Sequence, residues 1–370
     1  MSSSVDHQNN FNLLRLLAAV AVLFSHGSYL YHLQMPIPFM GHSLGSAAVC
    51  VFFVISGYLI AQSWERSVGW LDFAAKRVGR IYPGLICVTV FSIAVIGALM
   101  TTWPQTAYWA SPVTWSNFLN NAAGLATVQV LPGVFENNPF ARAVNGSLWT
   151  IRYELAMYLL LALVSLTLIR WWRWAYVAMA LTLVSIWLLA TGLDWPDAPA
   201  AASQWFKELW SLRQFTSLGV YFFVGSAWAR ARWRVHWWHG LLGAVALVAA
   251  RWSTDFLWVQ TGVWIGLSCL SMYLAFAGAA CIRGRPRADL SYGTYIYAFP
   301  IQQGVTQISL VQGWSLEVCV ALSLVLTLVL AALSWFCIEK PALEWMRTWL
   351  SRRKEIASNR LVNSGDMTSS

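Results

Sequence analysis

A chain of 370 residues that is 58% hydrophobic and only 11% charged does not have the composition of a soluble domain, in which roughly a quarter of residues are charged. Apolar runs recur along most of its length, which describes a polytopic helical membrane protein. The net charge of +9 is accounted for by membrane topology and calls for no nucleic acid.

Windows of about 20 residues give an all-α fold of about ten transmembrane helices. They lie near 12–31, 44–62, 82–101, 147–169, 174–192, 211–229, 240–254, 257–280, 290–311 and 316–338. The segments 64–80, 170–173, 230–239, 281–288 and 339–370 hold 18 of the 24 Lys and Arg. The alternate connections hold only Arg142, Lys207, Arg213 and Arg251. Basic connections favour the cytoplasm, so both termini are expected there. Trp171, Trp172, Trp174, Trp237 and Trp238 fall at predicted helix ends, where indoles anchor at the interface.

The first apolar stretch starts at Phe11 with no basic region ahead of it, and reads as a retained helix rather than a cleaved signal. Residues 1–10 are then a cytoplasmic tail and 11–340 one membrane domain. Within 341–370, Pro341 to Lys354 reads as an amphipathic helix on the anionic leaflet, with Leu343, Met346, Trp349 and Leu350 opposed to Arg347, Arg352, Arg353 and Lys354. From Ala357 onward the polar composition predicts disorder. Six scattered cysteines without C-x-x-C spacing, Cys281 among them, read as small core residues.

Several polar residues interrupt this apolar chain. Arg15 and His26 are eleven residues apart, about three turns, and so share one helix face. An Arg at the centre of a membrane helix costs about 2.5–3.5 kcal/mol. The pair suggests a polar interior path; the alternative is a snorkelling Arg and a hydrogen-bonded core histidine. In the second span, Ser56-Gly57 permits close backbone approach, which is also ordinary helix packing. The following basic segment carries Lys76, Arg77 and Arg80. Arg77 and Arg80 share a helix face and suit bidentate binding of anionic oxygens, although any positive-inside segment would contain such residues.

Asn145 or Ser147 is a plausible cap for the fourth span, which carries Trp149, Arg152 and Glu154. Depth counted from the outer ends brings Glu154 and His26 to similar levels, so the two are expected to meet, unless Arg152 neutralises Glu154 locally. Tyr292 opens the ninth span and Glu339 closes the tenth. The long connection 102–146, with Trp103, Tyr108, Trp109, Trp115 and several Asn, suits sugar stacking or an aromatic belt. His236 and His239 have helical spacing but no carboxylate, a poor zinc site, and no metal is expected.

These segments together resemble the acyltransferase 3 family of integral membrane acyltransferases. The resemblance runs from Arg15 to Pro341 through Arg15-x10-His26, Phe-Phe-Val-Ile-Ser56-Gly57-Tyr, Lys76-Arg77-x-x-Arg80-Ile-Tyr-Pro83, Ser147-Leu-Trp149-x-x-x-x-Glu154, Ser291-Tyr292 and Glu339-x-Pro341. It implies O-acylation, usually O-acetylation, of a glycan or glycolipid hydroxyl from cytoplasmic acyl-CoA. Acetyl-CoA would be a donor substrate rather than a permanently bound cofactor. It further implies a bacterial inner membrane location and a link to polysaccharide biosynthesis machinery.

By the same resemblance His26 is the catalytic histidine, with Arg15 its partner in the core. Arg77 and Arg80, with Lys76 beside them, hold coenzyme A phosphates, and Glu154 and Glu339 are functional carboxylates. Tyr58, Lys340 and Phe299 depart from the residues common in the family, which are Phe, Arg and His. Nothing resembles the esterase-like domain of longer members, so acceptor recognition falls to the membrane domain and its loops. A base acting on the hydroxyl and an acyl-histidine intermediate both fit the chemistry. The alternative function is a multispan transporter or exporter, which would move its substrate without acyl transfer.

Overall fold

The computed structural model describes residues 9–32, 37–39, 41–168, 172, 174–193, 211–276 and 288–366, with only the backbone past 353. Residues 1–8, Trp171, Lys207, Cys281 and the basic segment 281–287 lie outside the described residues. Among the described residues the chain is helical, apart from irregular connections and one isolated bridge between Phe39 and His42.

The helices are α1 (Phe11–Leu30), α2 (Leu44–Glu65) and α3 (Trp70–Phe91), the last prolonged by a π-helical segment Ser92–Gly97 and the turn Ala98–Met100. Two short helices follow, α4 (Gln105–Ala110) and α5 (Pro112–Ala123). A 3-10 segment, Gly146–Thr150, leads into α6 (Ile151–Thr167). Then come α7 (Ala175–Gly192), α8 (Leu212–Ala231), α9 (Trp237–Trp252), α10 (Phe256–Phe276) and α11 (Ser291–Gln312). Last is α12 (Leu316–Ser334), which passes through the π-helical segment Trp335–Glu339 into α13 (Lys340–Asp366).

Each of the ten predicted spans falls on a helix. Among the described residues seven helices are long and apolar enough to cross a membrane, counting α3 with its extension and α12 with its continuation to Arg353. Outside that measure stand α8, α9 and α11. The shortest, α9, has 16 residues. For α11 the cause is position: every residue from Ser291 to Thr306 is buried in protein. It therefore tolerates polar side chains that lipid would not, because they find partners. Gln303 donates to the carbonyls of Phe140 and Ala143, each at 2.7 Å, and accepts from Asn138. Gln302 donates to the Leu23 carbonyl at 2.9 Å.

The α2–α8 crossing relies on two glycines. A Cβ on Gly57 would lie 1.8 Å from the Phe222 carbonyl oxygen, and one on Gly225 2.1 Å from that of Val54. Ser226 seals the crossing with a 3.1 Å bond to the Gly57 carbonyl. Gly57 is thus a packing residue, in the manner of small-residue interfaces between membrane helices.

Two boundaries differ from the hydropathy reading. The third helix begins at Trp70 rather than near 82, so Lys76, Arg77 and Arg80 stand on it. A window that rewards apolar residues excludes such a charged opening. The last helix continues to Asp366, beyond the Ala357 limit suggested by composition. Its apolar stripe also packs on protein: Met346 lies against Gly79 of α3.

The connection 102–146 commits several of its amides to backbone carbonyls, some its own and some of neighbouring helices. Asn117 donates to the carbonyls of Val128 and Val130, Asn121 to Val128, and Asn145 to Ile296. Tyr108 is fully buried and donates to the Ile93 carbonyl.

Candidate functional site

A cavity of about 610 Å³ lies among α1, α2, α3, α6, α11 and α13. Asn12, Arg347 and Ser351 line it and are exposed, so it opens at the end of the bundle that bears the basic segments. Along α2 it is lined from Ile60 to Val49, a depth of about 16 Å at 1.5 Å per residue. Five cations (Arg15, Lys76, Arg77, Arg80 and Arg347) and three carboxylates (Asp72, Glu154 and Asp289) line it. The excess of positive charge suits an anionic ligand.

The floor of the basic end is an ion network drawn from four parts of the chain. Arg80 forks, one nitrogen 2.5 Å from Asp289 and the other 3.1 Å from Glu339. Arg15 reaches the same Asp289 oxygen at 2.7 Å. Ser291 donates to the other Asp289 oxygen at 2.5 Å, and Ser334 to Glu339 at 3.0 Å. The π-helical segment that ends on Glu339 sets this carboxylate against Arg80; such irregularities often mark functional positions. Tyr292 and Trp335 flank the Arg80 guanidinium at 5.6 and 5.7 Å, and Tyr292 donates to the Ile81 carbonyl. Burial pushes the Asp289 carboxyl upward, but the Arg15 and Arg80 guanidiniums and the Ser291 hydroxyl outweigh it and hold the group well below the usual carboxylate range.

This network revises the reading of the basic segment. The Arg80 fork grips protein carboxylates, not open space. Lys76 is tied to Asp72 at 2.8 Å and to Ser67 at 2.9 Å. Arg77 has no carboxylate within ion-pair distance among the described residues. It donates to Ser63 at 3.1 Å and lies over the rings of Phe73 and Tyr158. Of the three, Arg77 alone lacks a carboxylate partner among the described residues.

Glu154 lines the middle of the cavity, where Ser56 donates to it at 3.1 Å and Tyr158 donates to the same oxygen. Its hydrogen-bond partners are these hydroxyls, and among the described residues the expected meeting with His26 is not formed. Nor is Arg15 a direct partner of His26; its ion pair is with Asp289. Trp149 packs edge-on to Tyr153 at 5.7 Å and does not line the cavity.

His26 stands beyond the blind end of the cavity. Two registers locate it. Gly45 lies against Ser25, since a Cβ there would be 2.8 Å from the Ser25 hydroxyl, and the cavity stops at Val49, one turn short of Gly45 on α2. On α11 the cavity stops at Tyr295, while Phe299, one turn on, meets the His26 ring edge-to-face at 5.0 Å. Both put the imidazole about one turn, roughly 6 Å, past the cavity's end. Gln302 is its polar neighbour, and His26 Nδ1 and Gln302 Oε1 are buried without hydrogen-bond partners among the described residues.

Sequence reasoning missed Asp289 and Tyr158. Asp289 is the acid that immediately precedes the Leu290-Ser291-Tyr292 opening of α11, a signal hidden beside a basic run. Tyr158 is one turn from Glu154 on the same helix, where an acid and a hydroxyl readily meet.

Comparison with known proteins covers nearly the whole chain. Residues 8–337 match the model of a family described as an acyltransferase domain. Nodulation protein 10 of Rhizobium leguminosarum bv. viciae is 30% identical, over 96% of this chain and 98% of its own length. The O-acetyl transferase of Shigella phage Sf6 is also 30% identical, over 90% and 96% respectively. The exopolysaccharide production protein ExoZ of Rhizobium meliloti (strain 1021) is 32% identical over 36% of this chain and 38% of its own. No solved structure gives a significant match.

Proposed function

Because the chain belongs to the acyltransferase 3 family and is a multi-pass membrane O-acyltransferase, we propose that it moves an acetyl group from acetyl-CoA to a hydroxyl of a glycan. The observation that carries this reading is a cationic slot about 16 Å deep whose blind end stops one turn short of His26. An acyl-CoA has the matching shape, with anionic phosphates at one end and a thioester at the other. In this reading Arg77 answers phosphate charge, and the thioester reaches toward Tyr295 and Val49. The basic end faces the cytoplasm of a bacterial inner membrane, in keeping with its Lys and Arg. The acetyl group and the glycan are supported by relatives named for O-acetyl transfer and exopolysaccharide production. Such an acceptor would come from polysaccharide biosynthesis machinery.

In the transfer step, His26 takes the proton of the acceptor hydroxyl as its oxygen attacks the thioester carbonyl carbon. The carbon–sulfur bond then breaks, and the imidazolium returns the proton to the departing thiolate. An ester and free coenzyme A result, with no further reactant. A positioned base of this kind contributes about 10²–10⁴-fold. Exclusion of bulk water around His26 protects the thioester from hydrolysis. Arg15, Asp289, Arg80 and Glu339 act as a cross-brace that holds α1, α3, α11 and α12 around the slot.

The test compares glycan O-acetyl content in cells carrying wild type, His26→Ala or no copy, at equal membrane expression. It is joined to thiol release from acetyl-CoA by purified protein. Loss of both signals in His26→Ala and in the deletion is expected. Normal acetylation in the His26→Ala cells overturns the histidine mechanism. Passage of a substrate without thiol release overturns acyl transfer in favour of transport.

A further inference from the structure

The slot has a wall that hydropathy assigns to the membrane surface. Beginning beside Glu339, α13 runs outward along α3, and Leu343, Met346, Arg347, Leu350 and Ser351 line the cavity. Their alternate spacings of three and one place all five on a single helix face. The packing is close: a Cβ on Gly79 would lie 3.2 Å from Met346 Cγ. This contact sets the neighbouring Arg347 near the level of Gly79, between Lys76 and Arg80 on the facing helix.

Charge separates Arg347 from its neighbours. Arg15, Arg80 and Lys76 each hold a carboxylate. Lys340 is within 3.9 Å of Glu344, and Arg353 lies over Trp349, away from the cavity. Arg347 is exposed, lines the mouth and has no carboxylate within ion-pair distance among the described residues. It shares that condition with Arg77 on the other wall, so the mouth presents two guanidiniums from two helices that have no carboxylate partner among the described residues.

We propose that Arg347 is a donor-binding residue which contacts the phosphates of the coenzyme A nucleotide, and that the donor site therefore extends past residue 340 into α13. The proposal rests on the reading of acyl-CoA as donor. If the thioester lies at the blind end, a narrow chain must fill the slot and the nucleotide must stay at the mouth. A guanidinium there can fork onto phosphate oxygens in a way that a lysine cannot. The apolar neighbours Leu343, Met346 and Leu350 pack beside the less polar arm of the donor.

The experiment uses the full chain in neutral phosphatidylcholine nanodiscs, with acetyl-CoA and with S-acetylpantetheine, which carries the same thioester but no phosphate. Arg347→Glu should raise KM for acetyl-CoA about tenfold, the equivalent of one charge-assisted contact, with kcat held within about twofold. KM for S-acetylpantetheine should not move. Arg347→Lys should recover part of the affinity. Arg353→Glu, the same charge change on the same helix outside the slot, should leave both donors unchanged.

An unaltered KM for acetyl-CoA in Arg347→Glu overturns the proposal. So does an equal rise for both donors, which would signal a distorted slot, or an equal effect from Arg353→Glu, which would signal general electrostatics. A KM change confined to discs of anionic lipid would assign Arg347 to lipid headgroups instead. Failure of the wild type to release thiol from acetyl-CoA is a separate result: it removes the donor reading, and the proposal with it.

Discussion

Two neighbouring regions of this protein handle polar groups in opposite ways. At the basic end, four buried or half-buried ions, Arg15, Asp289, Arg80 and Glu339, are tied together with hydroxyls at both edges. About one turn beyond the slot's blind end, His26 sits against Phe299 with one polar side-chain neighbour and an unpartnered ring nitrogen. A buried ion costs several kcal/mol unless it is paired, so the first region has its charges neutralised by structure. A group that is to exchange a proton must keep a nitrogen uncommitted. In the reading proposed above, the contrast separates bracing and donor binding from chemistry.

The hardest blow to that separation comes from His26 itself. His26→Ala should lower transfer by about 10²–10⁴-fold while acetyl-CoA binding, read by isothermal titration, stays within about twofold. Loss of binding along with transfer would merge the two regions into one.

Asp289→Asn attacks the brace instead. It leaves two guanidiniums facing a neutral amide, and breaking a buried ion cluster costs about 3–5 kcal/mol. Thermal unfolding in detergent should register this as a marked fall in Tm. The pH dependence has a definite sign. A carboxylate held below its unfolded value adds stability that is fully present above about pH 4 and is lost as the pH falls toward the folded value. The Tm gap between wild type and Asp289→Asn should thus be flat from pH 8 to pH 5 and narrow only on stronger acidification. A gap that closes between pH 8 and pH 6 would assign the effect to another group.

A smaller effect distinguishes the paired basic residues of α3. Arg77→Ala should raise KM for acetyl-CoA about tenfold with little change in Tm, because no carboxylate is stranded. Arg80→Ala should lower Tm, because it strands Glu339 and leaves Asp289 with Arg15 alone. Equal losses of stability in the two variants would remove the distinction between a ligand-facing and a bracing arginine.

The fold was legible because lipid demands long apolar windows, and even α11 fell within one of them, 290–311, despite its glutamines. The spacing of Arg77 and Arg80 correctly suggested a shared helix. It could not reveal which one is consumed, because the carboxylates that hold Arg80 are 209 and 259 residues away. Counting turns from helix ends compared the depths of His26 and Glu154, yet depth does not say which helices are neighbours. Here α1 is flanked by α2 and α11, and Glu154 finds Ser56 of α2 instead. The amphipathic pattern of α13 was visible, but an apolar stripe reads alike whether it meets lipid or α3.

The opposite-end connection 102–146 yields the smallest effects and tests how far acceptor binding lies outside the slot. An Asn-rich, aromatic segment invites a sugar, but Asn117 and Asn121 already hold the loop backbone. Asn117→Ala should destabilise the protein by about 1–3 kcal/mol by removing the amide donor from the Val130 carbonyl and one of two from Val128. Asn120 is half-buried and, among the described residues, bonds to Ser116, four residues back, so Asn120→Ala should stay within about 0.5 kcal/mol in stability and leave transfer unaltered. Trp115 is 50% exposed, its indole N–H satisfied by the Trp109 carbonyl and its ring 6.2 Å from that of Trp109. One open aromatic face is worth about 0.5–1 kcal/mol, so Trp115→Ala should raise the acceptor KM about two- to fivefold and leave the donor KM alone. If neither KM moves, Trp115 belongs to the interfacial belt, and the acceptor must be recognised closer to His26.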